Sequence, residues 1–161
     1  MRRVLEVVSL ASLVLLVFIT ARALYGPVRL PERIPTHFNA AGQADGWGSP
    51  AMLLVFPGFA VAIYLLMSLV SRFPAAFNFP VRVTPLNRQR LEELALSMIA
   101  WLKAEVVVFF TWIAWSVIAA VRRPDQHLSP VSMPVVLVAI FATCIIHIVA
   151  IFMAARTGQR R

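Results

Sequence analysis

Four long apolar stretches divide the chain, at about 4–24, 51–70, 101–121 and 131–155. A helix needs about 20 mostly apolar residues to cross the hydrocarbon core of a bilayer, and each stretch reaches that length. Polar residues, prolines and glycines collect between them. The pattern predicts an all-α fold, a single-domain integral membrane bundle of about four transmembrane helices spanning 1–161. The first run has a rival reading as a cleaved signal peptide, with 7–19 as its apolar core and Ala21-Arg22-Ala23 as the cleavage site. Continuation of the run to Tyr25, and the awkward position of Arg22, favour a retained helix.

Between the first two runs, 25–50 carries Pro27, Pro31, Pro35 and Pro50 with Gly26, Gly42, Gly46 and Gly48. This punctuation forbids a long helix and predicts a turn-built loop. In the second run, Pro57-Gly58 predicts a kink or an irregular first turn, and Gly58 with Ala62 forms a small-xxx-small pair suited to close helix approach. After a loop containing Pro74 and Pro80, Thr84-Pro85 reads as a helix start: threonine caps free amides and proline suits the first helical position. That helix runs without a breaker to Val121, about 55 Å at 1.5 Å per residue. This exceeds the hydrocarbon thickness, so 85–100 should project from the membrane or lie along its surface, and 71–100 forms a loop and helix start on one side.

Composition agrees with lipid as the solvent: 60% of residues are hydrophobic, 14% are charged and mean hydropathy is +0.81. A soluble domain has about 45–50% apolar and about 25% charged residues. The net charge of +8 would suggest nucleic acid in a soluble protein. Here the arginines flank apolar runs, where they meet lipid phosphates, and no nucleic-acid partner is expected. Arg2, Arg3, Arg72, Arg82, Arg88, Arg90, Arg156, Arg160 and Arg161 fall on one side, against Arg22, Arg29, Arg33, Arg122 and Arg123 on the other. Positive residues favour the cytoplasm, which predicts N-in/C-in topology and an outer loop at 25–50. Tyr25, Trp47 and Trp101 suit aromatic belts. Cys144, the single cysteine, can form no intrachain disulfide.

The most distinctive stretch is Leu30-Pro-Glu-Arg-Ile-Pro-Thr-His-Phe-Asn-Ala-Ala-Gly-Gln-Ala-Asp-Gly-Trp-Gly-Ser49. It combines turn-forming Asn39, Gly42, Asp45 and Gly46 with a compact polar set, His37, Asn39, Asp45 and Ser49. Trp47 can anchor the returning chain among headgroups. The stretch resembles the bacterial membrane family built on the 1648 domain of unknown function, through Pro31, Ile34, Pro35, His37, Phe38, Asn39, Gly42, Asp45, Trp47, Gly48 and Ser49. Phe77-Asn-Phe-Pro-Val-Arg-Val-Thr-Pro-Leu-Asn87, with the helix through Trp101, Lys103 and Glu105, also looks like members of this family. The resemblance implies placement in a bacterial cytoplasmic (inner) membrane. It offers, as a borrowed possibility, immunity to a sporulation-delaying peptide toxin, since the best-understood relatives are immunity proteins against it, which join this domain to a further multi-helix region and also capture a transcriptional repressor. That region is not recognised here.

Two sets of residues are candidate sites. In the loop, His37 and Asp45 are two potential metal ligands where three or four are usual, so Asn39, Glu32 or another chain would have to complete a site. Hydrogen bonding within the loop is the plainer expectation for His37, Asn39 and Asp45. Within the apolar runs stand Glu6, Lys103, Glu105 and His147. Ionisable groups there are costly and often functional. Counted from the helix ends, Glu6, Glu105 and His147 fall at nearly one depth, where a Glu-Glu-His layer could share protons or bind a cation. The plainer alternative is that Lys103 and the glutamates snorkel to water and that His147 hydrogen-bonds between helices. Phe109, Phe110, Trp112 and Trp115 are expected to fill helix contacts.

No phosphate loop, nucleophile motif, paired-cysteine metal site or dinucleotide fingerprint occurs in the sequence, so neither a cofactor nor an enzyme activity is indicated. Four spans without an internal repeat argue against a complete transporter in one chain, although a homo-oligomer could build a pathway. The leading expectation is a sensing, immunity or signalling protein with a peptide or protein ligand at the outer His-Phe-Asn loop and a protein partner for the cytoplasmic segment. A proton-linked or transport component using the Glu/His layer is one alternative. A metal-dependent membrane enzyme centred on His37 and Asp45 is another.

Overall fold

The computed structural model describes residues 1–157. Arg160 and Arg161, which enter the charge balance, lie outside the described residues. The elements in chain order are helix α1 (Arg2–Tyr25), strands β1 (Ile34–Phe38) and β2 (Ala44–Gly48), a 3-10 turn (Pro50–Leu54), α2 (Val55–Val70), a second 3-10 turn (Pro74–Ala76), α3 (Arg88–Val121) and α4 (Ser132–Thr157). Four helical segments are long and apolar enough to cross a membrane: Arg2–Tyr25, Pro50–Val70, Arg88–Val121 and Met133–Arg156. The protein is a four-helix membrane protein, and the helices alternate in direction, so that α1 begins and α4 ends at the same end of the bundle.

α3 is the hub, packed against each of the other three helices. Lys103, Val107, Thr111, Ala114 and Ile118 recur on it at spacings of three and four and are all buried, the periodicity of one helical face. Thr111 donates both to Val107 O in its own helix and to Ser12 O of α1 at 3.0 Å. Below the bundle end, Leu16 of α1, Ala60 of α2 and Ala114 of α3 form a fully buried contact. Two small side chains there let three backbones converge, which matters because lipid supplies no hydrophobic drive between helices. Ala60, not Gly58, is therefore the close-approach residue of α2. A Cβ on Gly58 would meet nothing within 4 Å, and Ala62 is exposed.

The start of the second span is irregular where Pro50–Leu54 winds as a 3-10 turn capped by Ser49, whose Oγ accepts from Ala51 N at 3.3 Å. Pro57 then sits in the first turn of α2, where its missing N–H costs nothing. The long helix begins later than Thr84-Pro85 suggests. Asn87, buried, takes the position before Arg88. Its Oδ1 accepts from Thr84 N and its Nδ2 donates to Arg82 O, at 2.8 and 3.0 Å. Thr84 thus supplies backbone groups to this turn, while its buried Oγ1 has no partner among the described residues. Arg88 bonds Ala75 O and Glu92, at 2.9 Å each, folding the α2–α3 connection back onto the first turns of α3.

The segment 25–50 departs from the purely helical expectation. It forms an antiparallel hairpin in which Ile34 faces Gly48, Pro35 faces Trp47, His37 faces Gly46 and Phe38 faces Ala44, with irregular register on either side of His37. Buried Ile34 inserts among Ala23, Leu53, Val117 and Ile118. The hairpin is therefore rooted in the bundle end as a cap.

Candidate functional site at the hairpin end and within the bundle

The polar motif of the hairpin is arranged mainly by its own backbone. Asn39 closes the turn: its Oδ1 accepts from Ala41 N and Gln43 N, each at 3.0 Å, and its N–H donates to Gln43 O at 2.9 Å. This is the Asx-type turn that asparagine favours. His37 Nδ1 reaches across the strands to Asp45 Oδ1 at 2.5 Å, and both side chains are largely open to solvent. Among the described residues no group of three or more His, Cys, Asp or Glu side chains converges, and Asn39 is committed to the turn. The pair as built is a clasp between β1 and β2.

The sequence does not reveal what the hairpin leans on. The α3–α4 connection closes over its tip: Leu128 N donates to Gly42 O at 2.8 Å, His127 Nε2 donates to Ala41 O at 2.9 Å, and Gln43 bridges His127. Trp47 Nε1 donates to Gln126 Oε1 at 3.3 Å, and Arg33 bonds Trp47 O at 3.1 Å. Gly42 is required here, since its φ is +82° and a Cβ would fall 1.9 Å from Leu128 O. Between the hairpin tip, α3 and the start of α4 lies a cavity of about 370 Å³, lined by Phe38, Asn39, Trp112, Leu128 and Met133 among others. A neighbouring cavity of about 240 Å³ shares Trp112, Leu128 and Ser129 and adds Arg123 and His127. A third, of about 140 Å³, is apolar and lies beneath Ile34 and Pro35 against Leu53 and Phe56.

Inside the bundle the four ionisable residues separate into two clusters. Lys103 and Glu105 are two positions apart on α3, about 200° around its axis, and they face different neighbours. Lys103 Nζ donates to Glu6 Oε2 at 2.5 Å and to Ser68 Oγ at 3.1 Å, and lies 4.6 Å from the centre of the Tyr64 ring. The Tyr64 hydroxyl donates to the other Glu6 oxygen. On the other side, Glu105 accepts from Thr143 Oγ1 at 2.5 Å. His147 Nδ1 donates to Thr143 O at 2.9 Å and its Nε2 lies 3.2 Å from Ser97 Oγ. The second Glu105 oxygen is buried without a partner among the described residues.

A single Glu-Glu-His layer is therefore not what forms. Glu6 bonds Lys103 instead of Glu105, and His147 reaches the Thr143 backbone, one residue removed from the Glu105 carboxyl. Nor does Lys103 snorkel, since its side chain is only 7% exposed. Tyr64 and Ser68, four apart on α2, and Ser97 and Thr143 are partners that a search for charge alone passes over. Their signal is polar side chains at helical spacing within otherwise apolar runs.

Comparison with known proteins finds similarity over part of the chain. An uncharacterized protein of Archaeoglobus fulgidus is 36% identical over 72 residues, covering 40% of this chain. The match spans 39% of that protein's length, so less than two thirds of the relative is represented. No solved structure matches. Residues 13–61, which run from α1 through the hairpin into α2, match the family model of a domain of unknown function, DUF1648.

Proposed function

We propose that this protein is a ligand-recognition component of a cell membrane, of the sensing, immunity or signalling class, and that it binds at the hairpin end. The observation that carries this reading is the cavity of about 370 Å³ in which Phe38 and Asn39 of the hairpin meet Trp112 and Met133 of α3 and α4. Its size falls within the range of small-molecule sites, about 300–1,000 Å³, and its wall mixes aromatic and aliphatic surface with a few polar groups, as such sites do. A ligand there would touch three elements at once, so its binding can bias the packing of α3 against α4 and be felt at the far end of both helices. At that far end the α2–α3 connection and the exposed Arg88, Gln89, Arg90 and Glu93 offer a surface for a protein partner.

The arginine balance supports an orientation with the hairpin outside and both termini in the cytoplasm of a bacterium. Two reporters test the reading in native membranes. Photoreactive residues at Ala40 and at Arg90, one at each end, should each capture a discrete species, and the capture at Ala40 should be lost on Trp112→Ala. Impermeant thiol reagents on single cysteines at the same positions, in a Cys144→Ser background, should label only Ala40→Cys in intact cells. Capture that persists unchanged in Trp112→Ala would defeat the cavity as the recognition site.

A second reading, a proton-linked or ion-transporting component, draws on the Glu105 carboxyl, one oxygen of which lies buried without a partner among the described residues, while the other accepts from Thr143 on α4. Under that reading His147→Leu abolishes function. Under the recognition reading it is mild.

A further inference from the structure

The hairpin-end cavity has a built-in polarity that indicates what chemistry it would hold. Its wall is mostly apolar, formed by Phe38, Trp112, Ile113, Leu128 and Met133, and one side is made by the first turn of α4. The adjoining cavity shares Trp112, Leu128 and Ser129 with it and is polar at its far side, where Arg123 and His127 contribute. Arg123 has no carboxylate within ion-pair distance among the described residues. Asp125, two positions on, does not line either cavity. His127 spends its Nε2 hydrogen on Ala41 O, which fixes the ring beside this space.

We infer that these two adjoining cavities form a site for an anionic phospholipid, its acyl chain lying against Phe38, Trp112 and Met133 and its phosphate at Arg123. This inference rests on the recognition reading above and names its ligand class. Three features favour a membrane lipid. The cavities lie where α3 ends and α4 begins, hence at headgroup depth in a protein whose helices span the bilayer. Trp115 lines the polar cavity and not the apolar one, and tryptophan prefers the headgroup layer because its ring is apolar with one polar edge. The Met133 side of the larger cavity belongs to α4, which packs against α3 and leaves Val135 and Val138 exposed to lipid, so an acyl chain can enter sideways from the bilayer. An arginine guanidinium pairs with phosphate through parallel N–H groups, and a phosphate diester keeps its negative charge at any physiological pH.

The test uses the full chain reconstituted in vesicles of equal parts phosphatidylglycerol and phosphatidylcholine. A photoreactive residue replaces Met133 at the cavity or Val138 on the open lipid face, and the crosslinked lipids are identified by mass spectrometry. At position 133 phosphatidylglycerol adducts should exceed phosphatidylcholine adducts about fivefold, the size of effect one arginine produces at an anionic surface, whereas at position 138 the two should be equal. Arg123→Gln should remove the excess and Arg122→Gln, whose side chain lines neither cavity, should leave it. Equal adducts at both positions, or an excess untouched by Arg123→Gln, would overturn the lipid assignment. If at the same time the Ala40 probe still captures a peptide or small molecule in a Trp112-dependent way, recognition at the cavity stands and only its ligand class is wrong. If neither probe shows selectivity, both readings fall.

Discussion

Lys103 on α3 holds Glu6 on α1 at 2.5 Å, across 97 positions of sequence and inside the apolar part of the bundle. The two ends of this pair are unequally shielded: the lysine side chain is 7% exposed and the glutamate 40%. An unpaired charge in a membrane helix is costly in proportion to its shielding, up to about 2.5–3.5 kcal/mol at the helix centre on insertion scales. Together with Tyr64 and Ser68 the two residues form a closed polar cluster that ties α1, α2 and α3 at one level. Ion pairing is a directional alternative to the hydrophobic drive that lipid cannot supply between helices.

The asymmetry sets a testable order of effects. Glu6→Gln leaves the buried ammonium without a counter-charge and should destabilise the bundle by roughly 3 kcal/mol. Lys103→Met leaves a carboxylate that can still reach its surroundings and keeps the Tyr64 bond, so it should cost roughly 1 kcal/mol. The double variant should be more stable than Glu6→Gln alone. Reversible unfolding in mild detergent measures all three, and equal costs for the two single variants would show that burial does not govern the pair.

At the hairpin, the clasp and the turn should differ in weight. His37 and Asp45 are exposed, and an exposed pair contributes about 0–1 kcal/mol, so His37→Ala should leave the fold nearly unchanged. Gly42→Ala combines a left-handed backbone with a collision at Leu128 O, a strain of about 1–3 kcal/mol. It should detach the α3–α4 connection from the hairpin. Amide exchange at Leu128, whose N–H bonds Gly42 O, should accelerate in Gly42→Ala and stay slow in His37→Ala.

The parts of this fold that could be read from the sequence are those governed by length and hydropathy. Four spans follow from four apolar runs because a bilayer demands about 20 residues of each. The hairpin is hard to read because β1 contains Pro35 and does not alternate in burial, with Ile34 and Pro35 buried and Thr36 and His37 exposed, while β2 carries Gly46 and Gly48, residues depleted in strands. The pairing of Glu6 with Lys103 was hidden for a different reason. Depth along a helix can be counted, but which side of α3 each residue faces relative to three neighbours depends on packing. Two positions of offset between Lys103 and Glu105 were enough to send them to separate clusters. The cap formed by Gln126, His127 and Leu128 comes from a connection with no motif of its own.

The Thr143–Glu105 bond joins α4 to the rest of the bundle. Hydrogen bonds between membrane helices average about 0.6 kcal/mol and reach about 1.7, and α4 packs chiefly on α3. A double-mutant cycle with Glu105→Leu and Thr143→Val should give a coupling near the upper end of that range, because Glu105 has no other partner among the described residues. His147→Leu, which removes only a bond to a carbonyl and one to Ser97, should cost about 0.6 kcal/mol. A coupling near zero would mean that apolar packing alone holds α4.

Two small residues of α2 look alike in sequence and differ in surroundings. Gly58 faces open space, with nothing within 4 Å of an added Cβ, whereas Ala60 is fully buried against Leu16 and Ala114. Gly58→Leu should therefore be neutral or slightly stabilising, since leucine replaces a poor helix former by roughly 0.5–1 kcal/mol and meets lipid. Ala60→Leu forces a branched side chain into a filled contact, which costs about 1–3 kcal/mol. It should also push α1 from α3 at the level where Thr111 reaches Ser12 O. Thermal unfolding of the two variants in the same detergent, with amide exchange near Ser12 as the local reporter, checks both. A large loss from Gly58→Leu would mean that this face of α2 is covered in the membrane by another chain, and the same variant run on a sizing column would then report the oligomer it disrupts.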